Sequence, residues 1–166
     1  LFEICRQTVD FDFPLVTLTD NISALELFHG PTLAFKDVGA RFMSRCLRYF
    51  AAQRRRKTVV LVATSGDTGG AVAAGFHGVE GVEVVILYPS GKVSNVQELQ
   101  LTTLGGNVTT LELHGTFDDC QAIVKRALAD DEIRSRHHLT SANSRRGAGG
   151  VGGGGGYFYA IKQWSG

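Results

Sequence analysis

The sequence has few residues that could cross-link the chain or hold a metal ion. Its three cysteines, Cys5, Cys46 and Cys120, lie far apart and are odd in number. This spacing matches neither a disulfide framework nor a zinc site, and it fits a reducing compartment. The five histidines show no zinc-ligand spacing either, because the adjacent pair His137 and His138 cannot share one face of a helix or strand. The sequence therefore predicts no metal site.

The sequence also lacks an excess of one charge and a long hydrophobic run. Seventeen lysines and arginines face 16 acidic residues, which gives a formal net charge of +1. Near neutrality argues against general nucleic-acid binding. The one basic run, "RRRK", falls at the predicted end of a helix, where cations complement the helix dipole. No stretch resembles a signal peptide or a membrane span. We therefore expect a cytoplasmic protein with neither nucleic acid nor membrane as a partner.

The chain of 166 residues, 43% of them hydrophobic, suits a single domain with a hydrophobic core. It does not begin with Met, and its first residues read like the interior of a longer sequence. From these two features we expect a fragment.

Strands and helices alternate along the sequence. Four apolar, β-branched-rich runs predict strands at residues 59–64, 82–88, 108–113 and 139–141. Helical periodicity lies between them, and Thr116 with Asp119 forms a candidate capping box. This alternation predicts an α/β fold: a parallel four-stranded sheet with helices on both faces, in three layers.

Lys36 stands where an apolar segment turns into a predicted helix. Leu33, Ala34 and Phe35 precede it, and apolar residues follow it at helical spacing: Val38, Phe42, Cys46 and Phe50, with Met43 and Leu47 beside them. The first-turn N–H groups of a helix are electropositive, and apolar neighbours desolvate an amine, so both disfavour an ammonium group here. Such a position suits a lysine that reacts as a neutral amine.

A second candidate site is the loop "ATSGDTGGAV", which leaves a predicted strand and enters a helix. It combines three glycines with two hydroxyl residues: Gly66, Gly69, Gly70, Ser65 and Thr68. Glycines let the backbone turn tightly and approach a ligand, and the hydroxyls and free N–H groups form a donor-rich cup at a helix N-terminus. Because ligands bind beyond the carboxyl ends of parallel strands, we expect a carboxylate or phosphate here.

Asp67 is the unexpected member of this loop, because a carboxylate repels an anion. It either caps the helix by accepting a backbone N–H or is protonated when the ligand is bound. A plain turn between strand and helix, with Asp67 as its cap, is the alternative to a binding loop.

Five ordered motifs, "HGPTLAFKD", "ATSGDTGGAV", "KVSNVQELQLTT", "GTFDDC" and "LTSANS", followed by "YFYAIKQW", resemble the threonine synthase family. The resemblance implies the type II pyridoxal-phosphate fold, also called the tryptophan-synthase-β type. It implies pyridoxal 5'-phosphate as cofactor, bound to Lys36 as a Schiff base, and the conversion of O-phospho-L-homoserine and water to L-threonine and phosphate. Lys36 would also carry protons in this lyase reaction of threonine biosynthesis.

The resemblance also implies site residues beyond Lys36. The loop would hold the cofactor face and the substrate carboxylate through Ser65, Gly66, Asp67, Thr68 and Gly69. The implied substrate-binding residues are Thr64, Ser65, Thr68, Lys92, Ser94, Asn95, Gln97, Gln100 and Asn143. Those between positions 92 and 100 would meet the substrate phosphate, although an exposed polar helix face explains them equally well.

Other functions remain compatible with these residues. One is another pyridoxal-phosphate lyase or dehydratase of the same fold, which would share the lysine chemistry and differ in its phosphate contacts. The other is a cofactor-free α/β module, either engineered or an isolated domain.

The sequence departs from the family pattern after residue 144. Eight of the ten residues at 147–156 are glycine, which disfavours a helix by about 1 kcal/mol each. "GAGGVG" formally fits a dinucleotide motif, but no acidic residue follows at the required distance. We expect an enzyme segment over residues 1–144, a linker or unidentified residues over 145–156, and the start of a further helix over 157–166. The glycine–asparagine loop that holds the cofactor phosphate in this family would come from the remainder of the enzyme chain, so this chain alone would be inactive or bind the cofactor weakly.

Overall fold

The computed structural model describes residues 1–51 and 56–143. Six helices and six strands lie within this described part of the chain. In order they are α1 (Phe2–Thr8), β1 (Leu15–Thr19), β2 (Ile22–Leu25), α2 (Lys36–Ala51), β3 (Thr58–Ala63), α3 (Asp67–Phe76), β4 (Val82–Pro89), α4 (Asn95–Thr102), β5 (Val108–Leu113), α5 (Phe117–Ala129), α6 (Asp131–Arg136) and β6 (His138–Ser141).

Four strands form one parallel sheet in the order β5-β4-β3-β6. Val60 is paired with Val84 on one side and with Thr140 on the other, and Val84 in turn with Val108. The predicted four-stranded parallel sheet is therefore confirmed, with strand bounds shifted by at most one residue. Thr64, predicted as the last residue of β3, still donates its N–H to the Leu87 carbonyl at 3.0 Å, although its side chain already belongs to the following loop.

The sheet is covered on both faces, as predicted. Val60, Val62, Val84 and Ile86 face one hydrophobic cluster, which also contains residues of α2, α3 and α4. The alternate strand positions, among them Leu61, Ala63 and Leu87, face a second cluster with Cys120 and Val124 of α5. Period-two alternation in strands buried on both faces explains why the strands read as continuous apolar runs.

Helix α2 buries a different stripe from the one expected. Its buried residues are small or polar, namely Asp37, Ala40, Ser44 and Ala51, whereas Phe50 is 52% exposed. The cause is close packing of α2 on α3, where a Cβ added at Gly75 would lie 3.3 Å from the backbone of Ala40. Only small side chains fit such an interface, so the larger residues of α2 lie beside it.

Four elements have no counterpart in the sequence-based prediction. The strands β1 and β2 form an antiparallel hairpin beside the main sheet, and the short helices α1 and α6 flank α2 and β6. The capping box that opens α5 is confirmed, since the Thr116 hydroxyl accepts from the Asp119 N–H and the Asp119 carboxylate accepts from the Thr116 N–H.

The predicted linker and final helix, residues 145–166, lie outside the described residues, as do the first two arginines of the basic run. In the part of the chain that the structure describes, all three cysteines are free thiols. No group of three or more His, Cys, Asp or Glu side chains there is arranged around a metal position. None of the helices described is long and apolar enough to cross a membrane.

Two leucines of α4 provide a matched test of the core. Leu101 is 1% exposed, and Leu99 on the same helix is 59% exposed. We expect Leu101→Ala to lower the free energy of unfolding by about 2–5 kcal/mol, because it removes buried methyl groups and leaves a cavity. Leu99→Ala should stay within roughly 0.5 kcal/mol of the parent chain. Urea unfolding followed by circular dichroism measures both, and equal losses would contradict this assignment of the core.

Candidate active site

The starts of two helices meet at the carboxyl edge of the sheet. Lys36 is the first residue of α2, and Asp67 is the first residue of α3. The Lys36 Nζ atom donates to the Asp67 Oδ2 atom at 2.5 Å, and the two side chains are 28% and 44% exposed. The predicted placement of Lys36 in the first helical turn, facing the glycine loop, is confirmed.

A carboxylate and an aromatic ring both contact the Lys36 amine. Besides the Asp67 carboxylate, the ring of Phe35 lies below the amine, with Nζ 4.4 Å from the ring centroid. The expected desolvation is incomplete, because Leu33 is 72% and Phe35 59% exposed. Nothing in the sequence pattern predicted that Asp67 would lie beside Lys36.

Thr64 holds the glycine loop together from the inside. Its Oγ1 accepts the N–H of Gly66 at 3.0 Å and the N–H of Gly69 at 2.8 Å, and it donates to the Gly66 carbonyl at 3.2 Å. The residue is 1% exposed. The Thr64 hydroxyl is therefore occupied inside the loop, and it does not line the cleft described below.

The outer side of the loop offers hydrogen-bond donors. Within the described residues, the Ser65 hydroxyl and the N–H groups of Ser65 and Asp67 have no acceptor, and Ser65 is exposed. Asp67 Oδ1 accepts the Thr68 N–H at 2.9 Å. Asp67 therefore satisfies one N–H at the helix start and pairs with Lys36 at the same time. Two free N–H groups at a helix N-terminus form a cup suited to a carboxylate or phosphate.

An open cleft of about 650 Å³ lies in front of Asp67. Helix α4 and its N-terminal cap form one wall, and the segment that joins β2 to α2 forms the other. The lining residues are Leu25, Leu27, Phe28, Thr32, Leu33, Ala34, Phe35, Asp67, Ser94, Val96, Gln97 and Gln100. The cleft is thus largely apolar on one side and carries amide groups on the other.

Of the residues suggested for the substrate phosphate, three reach this cleft. Ser94, Gln97 and Gln100 line it, whereas Lys92 and Asn95 do not and are exposed. Ser94 is the N-cap of α4, and its hydroxyl accepts the Gln97 N–H at 3.4 Å. The helix start therefore presents one face to the cleft and leaves Asn95 on the solvent side.

Helix α4 packs directly on the glycine loop. Gly66 has a φ of 140°, a conformation that favours glycine, and a Cβ there would overlap the amide of Gln97. A Cβ at Gly69 would lie 2.5 Å from the Thr64 methyl group and 2.6 Å from Leu101. These glycines are required because α4 and the loop approach so closely that no side chain fits between them.

Asn143 is placed away from the cleft. Its Nδ2 donates to the Ala63 carbonyl at 2.8 Å, and its Oδ1 accepts the Ala63 N–H at 3.2 Å. The side-chain amide thus imitates a strand neighbour and extends the pairing of β3 with β6. Asn143 was suggested as a substrate-binding residue, but in this structure both polar atoms of its side chain are hydrogen-bonded to β3.

Sequence reasoning missed most of the apolar wall. Leu25 belongs to the unpredicted strand β2, and Leu27, Phe28 and Thr32 follow it in an irregular segment. The alternation in "LVTLTDNISAL" was a signal for the hairpin. The sequence pattern did not predict that Val96 lines the cleft, because Val96 is a single apolar residue among the polar residues that begin α4.

Comparison with known proteins agrees with this geometry. A family model described as "Pyridoxal-phosphate dependent enzyme" matches residues 17–160. The threonine synthase of Serratia marcescens is 53% identical over 154 residues, covering 93% of this chain and 35% of that protein. The chain therefore spans about a third of the length of such curated relatives.

Two crystal structures share the fold. Threonine synthase from Escherichia coli superposes with a TM-score of 0.89 at 46% identity, over 97% of this chain and 37% of that one. A structure of threonine synthase from Brucella melitensis, described as bound to pyridoxal phosphate, gives 0.76 at 44% identity, over 82% of this chain and 30% of that one. The resemblance to threonine synthases is confirmed, and the chain belongs to the family of pyridoxal-phosphate dependent enzymes.

Proposed function

We propose that this chain is the lysine-bearing segment of a threonine synthase, which converts O-phospho-L-homoserine and water to L-threonine and phosphate with pyridoxal 5'-phosphate. The observation that carries the proposal is the position of the Lys36 amine, 2.5 Å from Asp67 and directly beside the glycine loop. Two groups that the chemistry needs together, an amine and an anion-binding loop, meet although 30 residues separate them in sequence.

The residues present fit the cofactor. An aldehyde on a flat aromatic ring needs an amine at its edge, an apolar slot and donors for its polar substituents. Lys36 supplies the amine, Phe28 and Phe35 lie on the apolar wall, and the loop supplies free N–H groups. The absence of side chains at Gly66 and Gly69 lets α4, which carries Gln97, pack directly against the loop.

When bound, pyridoxal phosphate supplies an electron sink for the loss of protons from the α- and β-carbons of the substrate. Lys36 Nζ would hold and return those protons, since it contacts Asp67 and Phe35, which line the cleft. The N–H groups of Ser65 and Asp67 would bind the substrate carboxylate. Gln97 and Gln100, on the opposite wall, would orient the substrate phosphate.

We also propose residues 1–144 as the enzyme segment and a cytoplasmic location for the protein. The remainder of an enzyme chain would act as the partner of this segment and complete the binding site. Exposed apolar residues along the cleft support this arrangement, since Phe28 is 50% and Val96 67% exposed.

Pyridoxal phosphate should react selectively with Lys36 in the 166-residue chain. We expect incubation with pyridoxal phosphate, followed by borohydride reduction, to label Lys36 over Lys57 by more than about tenfold, the factor that ~1.4 kcal/mol of local binding provides. Peptide mass spectrometry measures the ratio. Lys57 is a matched reference, because it is also ion-paired, to Glu83 at 2.6 Å, but lies on the open surface. Equal labelling of both lysines would favour a cofactor-free module.

A full-length enzyme that carries this segment tests the reaction itself. We expect phosphate release from phosphohomoserine together with threonine formation, and loss of both by at least about a thousandfold in Lys36→Ala. Lys36→Arg should fail equally, because a guanidinium stays charged and cannot act as the nucleophile. Phosphate release without threonine would indicate a different lyase of the same fold.

The close packing of the loop generates a further prediction. Gly69→Ala should lower the free energy of unfolding by about 1–3 kcal/mol, since the new Cβ meets Thr64 and Leu101. Gly39→Ala on α2 is the matched control, because a Cβ there meets nothing within 4 Å, and it should raise stability by roughly 0.5–1 kcal/mol. Thermal and urea unfolding measure both. Tolerance of alanine at position 69 would refute the packing argument.

A further inference from the structure

The residue after Lys36 is a buried acid that the proposed reaction does not use. Asp37 is 1% exposed and lies in the first turn of α2. Its Oδ2 accepts the Thr32 N–H at 2.9 Å, and its Oδ1 accepts the Thr32 hydroxyl at 2.6 Å. Within the described part of the chain no cation pairs with it. A buried carboxylate is costly unless its oxygens are satisfied, so both acceptors are devoted to a single residue.

The segment before Lys36 is folded around this carboxylate. The Asp37 N–H donates to the Ala34 carbonyl at 3.0 Å, and the Leu33 N–H donates to the Gly30 carbonyl at 3.0 Å. A Cβ at Gly30 would lie 2.5 Å from the Asp37 carboxylate oxygen. Gly30, Thr32 and Ala34 therefore contact Asp37 or its backbone from three positions in a short stretch of chain.

The same segment contains a strained residue. Leu33 has a φ of 59°, the only positive value at a non-glycine residue in the described part of the chain. A left-handed conformation is unfavourable for a leucine and persists only when surrounding contacts enforce it. The two hydrogen bonds from Thr32 to Asp37 span the stretch that contains Leu33, and the Leu33 N–H is bonded to the Gly30 carbonyl.

This segment is also the apolar wall of the cleft. Thr32, Leu33, Ala34 and Phe35 line it, and the ring of Phe35 contacts the Lys36 amine. Successive helix residues point about 100° apart, so Lys36 faces Asp67 while Asp37 faces inward. The buried Asp37 carboxylate thus contacts both the start of α2, which carries the Lys36 amine, and the cleft wall that lies opposite α4.

We propose that Asp37 is a positioning residue: through Thr32 it fixes the segment at residues 30–36 and so sets where the Lys36 amine meets an aldehyde ligand. This inference rests on the proposed function, because it assigns Asp37 to the same lysine. It concerns geometry alone, since neither Asp37 nor the Thr32 hydroxyl touches the reacting amine.

The chain contains a matched control for this pair. In the capping box of α5, the Thr116 N–H and hydroxyl both donate to the Asp119 carboxylate at 2.7 Å. The donors and acceptor are of the same kind, but they are exposed and lie outside the cleft. Loss of this pair should weaken the fold without moving Lys36.

The test compares labelling of Lys36 with labelling of Lys57 by pyridoxal phosphate and borohydride in folded 166-residue variants. We expect Asp37→Asn and Thr32→Val to reduce the Lys36 to Lys57 ratio about five- to tenfold, the scale of one lost hydrogen bond. Thr32→Ser keeps the hydroxyl and should restore the ratio. Asp119→Asn should leave it unchanged. Amide hydrogen exchange of residues 32–36, without ligand, should become faster only in Asp37→Asn and Thr32→Val.

Each outcome bears on a different claim. If the parent chain labels Lys36 selectively and Thr32→Val keeps that selectivity, Asp37 is not a positioning residue, whereas the proposed function stands. An equal loss in Asp119→Asn would reduce the effect to general destabilisation and also overturn the proposal. Should Asp37→Asn fail to fold, Thr32→Val decides, because it removes only one hydroxyl and keeps the side-chain shape. Absence of selectivity in the parent chain would count against the proposed function and against this inference with it.

Discussion

The ion pair between Lys36 and Asp67 is the interaction on which the site depends. Each residue opens a helix, and the parallel sheet brings the two helix starts to the same edge. Both starts are electropositive, and the Asp67 carboxylate contributes a negative charge directly beside the Lys36 amine. Through this contact the amine is held beside the loop that offers anion-binding donors.

Close packing behind this ion pair fixes its geometry. Thr64 ties Gly66 and Gly69 into a rigid turn, and Leu101 of α4 fills the space against that turn. The polar loop is therefore supported by the same hydrophobic cluster that covers one face of the sheet. A site built on core elements in this way is held more precisely than one on a free loop.

The sequence predicted the features that depend on local pattern. The strands were recognisable because residues such as Val60 and Ile86 are buried on a doubly covered sheet, and the α5 cap because its two partners are three residues apart. The features that depend on contacts between distant residues were missed. The pairing of Lys36 with Asp67, the use of the Thr64 hydroxyl inside the loop and the engagement of Asn143 with Ala63 all join separate elements. Neither hydrophobic periodicity nor a helix-capping motif indicates which residues of separate elements will pair.

The two threonine–aspartate pairs show that the same hydrogen bonds play different structural roles when they are exposed and when they are buried. At α5 the pair is exposed and terminates a helix, as a local motif that the sequence alone reveals. At α2 the aspartate is buried, and its partner lies before the helix, across a leucine with positive φ. In the described part of the chain no cation pairs with this buried acid, and a buried acid of that kind and a strained leucine are both unfavourable by themselves. They become compatible only as a unit, in which the carboxylate enforces the strained turn and the turn satisfies the carboxylate. This unit lies directly beside Lys36. Its unfavourable features therefore accompany a fixed position of the Lys36 amine.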